Sequence, residues 1–192
     1  MEAFLVSTGI VALAEIGDKT QLLSFVLAAR FKRPWPIVAG IFVATVFNHA
    51  AAGAVGAWLT HLIGPDTMRW ILGLSFLAMA GWILVPDKLD DDEAPQARYG
   101  AFATTLIAFF LAEMGDKTQV ATVALAARFD SLAAVVLGTT FGMMLANVPA
   151  VLVGDKLAHK LPVKAIHVVC ALIFAALGVA ALAGADFAGW LG

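Results

Sequence analysis

The chain has 192 residues, 61% of them hydrophobic and 14% charged, with a mean hydropathy of +0.91 and a formal net charge of −2. Soluble domains carry about 25% charged residues, so these values exclude an ordinary soluble domain and predict an all-α, polytopic membrane protein. A pI of 6.0 offers no electrostatic footprint for nucleic acid, and a single cysteine, Cys170, excludes an internal disulfide.

A span needs about 20 mostly apolar residues. In chain order the first candidate covers about residues 3–29. Met1-Glu2-Ala3-Phe4 lacks the basic n-region of a cleavable signal, so this stretch is expected to be retained. It carries an unusual polar octapeptide at mid-depth, Ala14-Glu15-Ile16-Gly17-Asp18-Lys19-Thr20-Gln21. Spans two and three follow at about 36–62 and 66–86, with Pro36 and Pro65 at helix starts, where a missing N–H costs nothing. Residues 87–98, rich in Asp, read as a solvated linker rather than a metal sensor.

The fourth span, about 100–127, repeats the octapeptide as Ala112-Glu113-Met114-Gly115-Asp116-Lys117-Thr118-Gln119, changed only at Met114. Spans five and six cover about 131–158 and 162–184, the fifth containing Pro149, which is expected to kink it. Halves 1–86 and 99–184 align without a gap at an offset of 98: Arg30 meets Arg128, Gly40 meets Gly138, His61 meets His159, and Phe76 meets Phe174. Three spans per half is an odd number, so the second half enters the membrane in the opposite sense. This predicts two inverted three-helix repeats, residues 1–86 and 99–192, the plan of many secondary transporters.

Basic residues set the expected orientation. Arg30, Lys32, Arg33, Lys88, Arg98, Lys156, Lys160 and Lys164 fall on one side, and Arg69 and Arg128 on the other. The first set is expected in the cytoplasm of a bacterial-type inner membrane, with both termini outside. Trp35, Trp58, Trp70, Trp82 and Trp190 lie toward span ends as interface anchors, making membrane lipid an expected partner. Association with a second copy of the chain is left open.

Six charged side chains at bilayer depth would each cost about 2.5–3.5 kcal/mol if uncompensated, so the twin octapeptides mark the functional site. On a continuous helix Glu15 and Asp18 share a face, as do Glu113 and Asp116, and Glu15–Lys19 and Glu113–Lys117 form i,i+4 pairs. Gly17 and Gly115 permit close helix approach or local unwinding. If the two spans cross at the midplane, four carboxylates converge, with Thr20, Thr118, Gln21 and Gln119 adding oxygens. An all-oxygen set suits Mg²⁺, Ca²⁺ or Mn²⁺. Four acids and two lysines leave a charge of −2, which one divalent cation neutralises, with protons competing for the same oxygens when it leaves. His49 and Asn147, repeat mates in mid-span, and Ser24 and Thr122, mates on the next turn, are candidate lining residues. No cofactor is expected; metal and protons are cargo.

Two copies of E-x-G-D-K/R-T/S in a six-span, two-half membrane protein resemble the manganese exporters of bacteria and their Golgi and chloroplast relatives. The resemblance covers the whole chain. It implies antiport of Mn²⁺ and Ca²⁺ against protons, with Glu15, Gly17, Asp18, Lys19 and Thr20, and Glu113, Gly115, Asp116, Lys117 and Thr118, as signature positions. Eukaryotic members often carry Arg-Ser in the second copy, from which Lys117-Thr118 departs. The expected function is export of Mn²⁺, with Ca²⁺ as a second cargo, in exchange for protons. The rival is an uncoupled divalent-cation channel built on acidic rings. An intramembrane enzyme is disfavoured, since no nucleophile constellation or phosphate-binding loop accompanies the acids.

Overall fold

The computed structural model describes residues 1–85, 99–153 and 162–184. The acidic linker therefore lies outside the described residues, as do His159 and Trp190. Eight helices are described: α1 (Glu2–Glu15), α2 (Lys19–Phe31), α3 (Pro34–Leu62), α4 (Pro65–Trp82), α5 (Gly100–Glu113), α6 (Lys117–Arg128), α7 (Leu132–Val153) and α8 (Val163–Leu182). Helices α3, α7 and α8 are long and apolar enough to cross a membrane. Proline opens α3 and α4 in their first turn, while Pro149 sits inside α7 without ending it.

The first and fourth expected spans are each two helices rather than one. At 14 and 13 residues, α1 and α2 are about 20 Å long apiece, short of a hydrocarbon core of about 30 Å. The same holds for α5 and α6, at 14 and 12 residues. Both breaks occur inside the octapeptide, so continuity of the motif helix is overturned. The physical reason lies at Gly17 (φ +84°) and Gly115 (φ +76°), whose left-handed backbone no α-helix contains.

The halves interlock. Helix α1 packs along α7, and its repeat mate α5 packs along α3; α4 pairs with its own mate, α8. Close approach is made by glycine at equivalent places. A Cβ on Gly40 would stand 2.8 Å from Thr105 Cβ, and one on Gly138 would stand 3.0 Å from Ser7 Cβ. The mates Phe76 and Phe174 meet each other with ring centroids 6.1 Å apart. Two apolar clusters result, one around Phe76, Leu125 and Phe174, the other around Leu23, Ile41, Phe109 and Met143. Phe47, Leu74, Leu137 and Leu172 instead point outward and are exposed, as are Trp35, Trp58, Trp70 and Trp82. Apolar side chains on the outside and polar ones within suit a lipid solvent.

Candidate metal site

The motif folds twice into one local structure. Each half-helix ends at a glutamate, the next residue turns extended (Ile16 ψ 114°, Met114 ψ 117°), and glycine takes a left-handed backbone. Asp18 and Asp116 then stand at the N-caps of α2 and α6. The Asp18 carboxylate accepts from Thr20 N at 3.4 Å. Gly17 N donates to Gln21 Oε1 at 2.9 Å, and Gly115 N to Gln119 Oε1 at 2.7 Å, so each glutamine bridges its own break. Thr20 Oγ1 donates to Glu15 Oε2 at 2.5 Å, and Thr118 Oγ1 to Glu113 Oε2 at 2.8 Å. The threonines and glutamines thereby serve first to aim the carboxylates and tie the backbone. A buried break would otherwise leave backbone groups unpaired, at about 1–3 kcal/mol each.

The two breaks meet. One carboxylate oxygen from each of Glu15, Glu113 and Asp116 lies within 4.8 Å of the others, and all three side chains are buried. Asp18 is also buried and belongs to the same neighbourhood through its ion pair across the repeats. Among the described residues Glu15 Oε1, Glu113 Oε1 and Asp116 Oδ2 find no hydrogen-bond partner. Three inward carboxylates with uncommitted oxygens form a hard-cation donor set. Half-helix N-termini at α2 and α6 add N–H dipoles that offset part of the acidic charge.

Among the described residues the lysine ion pairs run between the motifs. Breaking the helix destroys the i,i+4 geometry, and each lysine reaches the other motif's aspartate. Lys117 Nζ lies 3.6 Å from Asp18 Oδ1, and Lys19 Nζ lies 3.9 Å from Asp116 Oδ1. Lys117 also donates to the Val85 carbonyl at 3.4 Å. Among the described residues these crossed pairs stand in place of the expected Glu15–Lys19 and Glu113–Lys117 pairs.

Asn147 donates to Glu15 Oε2 at 3.3 Å and accepts from Ser24 Oγ at 2.8 Å. His49 Nε2 lies 4.0 Å from Glu113 Oε2. Thr122 turns back to the Thr118 carbonyl at 2.7 Å, a helix-internal bond. Asn48 and His167 are absent from the sequence expectations. Asn48 accepts from Gln119 Nε2 at 2.5 Å and donates to the Phe110 carbonyl, as Gln21, an expected site residue, donates to the Ala146 carbonyl. A polar Asn-His pair inside an apolar span was the available signal for Asn48. His167 Nε2 lies 2.7 Å from the Ile16 carbonyl, at the first break; nothing in the sequence marks a partner for it.

Comparison with known proteins gives the family of the chain. Residues 3–91 and 101–188 match the family described as "Divalent cation/proton antiporter GDT1". A "Putative manganese exporter" of Vibrio cholerae serotype O1 is 51% identical over 181 residues, spanning 94% of this chain and 90% of its own. GDT1-like proteins of Synechocystis and of Arabidopsis thaliana are each 26% identical, over 91% and 95% of this chain and 93% and 96% of theirs. No solved structure matches. The family comprises membrane cation transporters, not enzymes, and the chain is a member of it: a protein of the GDT1 divalent cation/proton antiporter family.

Proposed function

We propose that this chain exports Mn²⁺, with Ca²⁺ as a second cargo, from the cytoplasm of a bacterial-type cell in exchange for protons. The observation that carries the reading is the meeting of Glu15, Glu113 and Asp116, drawn from two separate helix breaks, all buried and each with an uncommitted carboxylate oxygen. Crowded carboxylates need a neutralising cation in so low a dielectric. A divalent ion supplies it in one state and protons in another, and that exclusivity is the physical basis of exchange.

The architecture we assign is six spans in two inverted three-helix repeats, residues 1–86 and 99–192, joined by a cytoplasmic linker at 87–98. Helices α1 with α2, and α5 with α6, count as one broken span each. Support comes from matching backbone breaks at an offset of 98 and from crossed packing of α1 on α7 and α5 on α3. Discontinuous helices meeting near mid-depth are the recurrent cargo site of inverted-repeat transporters. The excess of lysine and arginine in one set of loops favours placing both termini on the non-cytoplasmic side.

The test is flux in proteoliposomes holding a pH-sensitive dye. Mn²⁺ entry should drive proton exit, and collapse of the pH gradient should slow Mn²⁺ movement. Glu15→Gln or Asp116→Asn should abolish both fluxes together. Mn²⁺ flux with no linked proton movement would establish the channel alternative, and undiminished exchange in both variants would remove the motif from transport.

A further inference from the structure

The two repeats differ at the position beside each glutamate. Asn147, beside Glu15, has all its polar atoms engaged: the amide nitrogen by Glu15 and the Met143 carbonyl, the oxygen by Ser24. Its mate beside Glu113 is His49, fully buried on α3, with no hydrogen-bond partner for either ring nitrogen among the described residues. The residue that would pair with it by symmetry, Thr122, gives its hydroxyl to the Thr118 carbonyl instead. An imidazole taken from water with both nitrogens unpaired gives up its hydration without compensation, and a native structure holds such a group only for a reason.

The geometry supplies one. His49 Nε2 and Glu113 Oε2 are 4.0 Å apart, too far for a hydrogen bond. Two donors each on the order of 2.1 Å from a shared ion stand about 3 Å apart at a right angle and about 4.2 Å apart when opposed. The separation from Glu113 falls within that interval; His49 stands outside the group in which the Glu15, Glu113 and Asp116 oxygens all lie within 4.8 Å of one another, so its nitrogen meets a shared ion by a small shift toward that group.

We infer that His49 Nε2 is a nitrogen ligand to the transported ion, joining Glu113, and that it biases the site toward a transition-metal cation over an alkaline-earth one. This rests on the antiport reading above and deepens it. Imidazole binds Mn²⁺ and its first-row neighbours but adds little for Ca²⁺ or Mg²⁺, which prefer oxygen. A site with asparagine in both repeats would lose that preference. The side chains of Lys19 and Lys117, as ammonium groups, have no lone pair to offer.

The experiment is pulsed electron paramagnetic resonance of detergent-solubilised full chain loaded with Mn²⁺, alongside Ca²⁺ competition. Wild type should show modulation from a directly coordinated ¹⁴N, and His49→Gln should lose it. The variant should also bind Mn²⁺ about tenfold more weakly, with Ca²⁺ affinity changed less than about twofold. Bound Mn²⁺ with no nitrogen coupling in wild type would overturn the inference and leave the antiport reading standing, and that measurement needs no variant to fold. Equal weakening of Mn²⁺ and Ca²⁺ in His49→Gln would overturn the selectivity. A wild-type chain that binds no Mn²⁺ would sink both.

Discussion

The two helix breaks are one structure in two settings. Both place glycine at positive φ, both close the gap with a glutamine, and both hold a glutamate with a threonine hydroxyl. Their surroundings diverge. At the first break the start of α8 presses in: His167 reaches the Ile16 carbonyl, and a Cβ on Gly17 would collide with Val163 Cγ1. At the second, Met114 and Gly115 are exposed, and a Cβ on Gly115 would meet nothing. The octapeptide therefore dictates local geometry, while tertiary packing decides what covers it. Among broken helices in lipid, irregular backbone is tolerated where it is buried in protein or lines a watery cavity; among the described residues the first break, half-buried under α8, comes nearer the first condition than the second does.

The sharpest way to break the equivalence is at the acids. Glu15→Gln and Glu113→Gln should each reduce Mn²⁺ transport by at least about a hundredfold, since changes outside the ligand shell already cost about 10–100-fold in affinity. Comparable losses measured by ⁵⁴Mn uptake would mark a single shared site. A variant retaining more than about a tenth of wild-type uptake would assign the ion to the other repeat alone.

The lysines come next. Side-chain exposure is 1% for Lys117 and 20% for Lys19. Removing one partner of a buried pair costs about 3–5 kcal/mol, whereas a pair nearer water is worth about 1 kcal/mol or less. Lys117→Met should thus lower stability in detergent by about 3 kcal/mol and Lys19→Met by about 1 kcal/mol, read by thermal unfolding. Equal losses would mean that exposure does not distinguish the crossed pairs.

Glycine replacement should separate the breaks further. Ala at either position bears a left-handed backbone penalty of about 1–2 kcal/mol. Gly17→Ala adds overpacking against Val163, about 1–3 kcal/mol, which Gly115→Ala escapes. Melting temperatures should fall more for Gly17→Ala, and Val163→Ala should recover part of the difference. Failure of that rescue would place the cost elsewhere.

Much of the site was legible in the sequence because a repeat states the same chemistry twice. The offset of 98 named Glu15, Asp18, Glu113 and Asp116 as facing groups, and Glu15, Glu113 and Asp116 do converge. Continuous helices were not supported, although Gly17 and Gly115 between the acids allowed for unwinding. The crossed lysine pairs were hidden for a physical reason: helical spacing predicts neighbours only where the helix persists, and here it stops at each glutamate. The glutamines looked like oxygen ligands, yet their oxygens accept from the glycine N–H groups that the break sets free.

His167 offers the finest test of the asymmetry. Its partner is a backbone carbonyl, exposed only because α1 ends at Glu15 and the last carbonyls of a helix lack internal partners. The repeat mate of His167 is Arg69, which stands by Gly184 instead. Substituting His167→Phe keeps an aromatic ring of similar volume but removes the Nε2 donor, so the Ile16 carbonyl loses a hydrogen bond with a net worth of about 1 kcal/mol. Local opening at the first break should then become about fivefold more frequent, seen as faster amide exchange over residues 16–19, with residues 114–117 unchanged. Matching acceleration at both breaks would show that α8 braces the site as a whole; no acceleration at the first would show that Val163 packing, not the hydrogen bond, holds it closed.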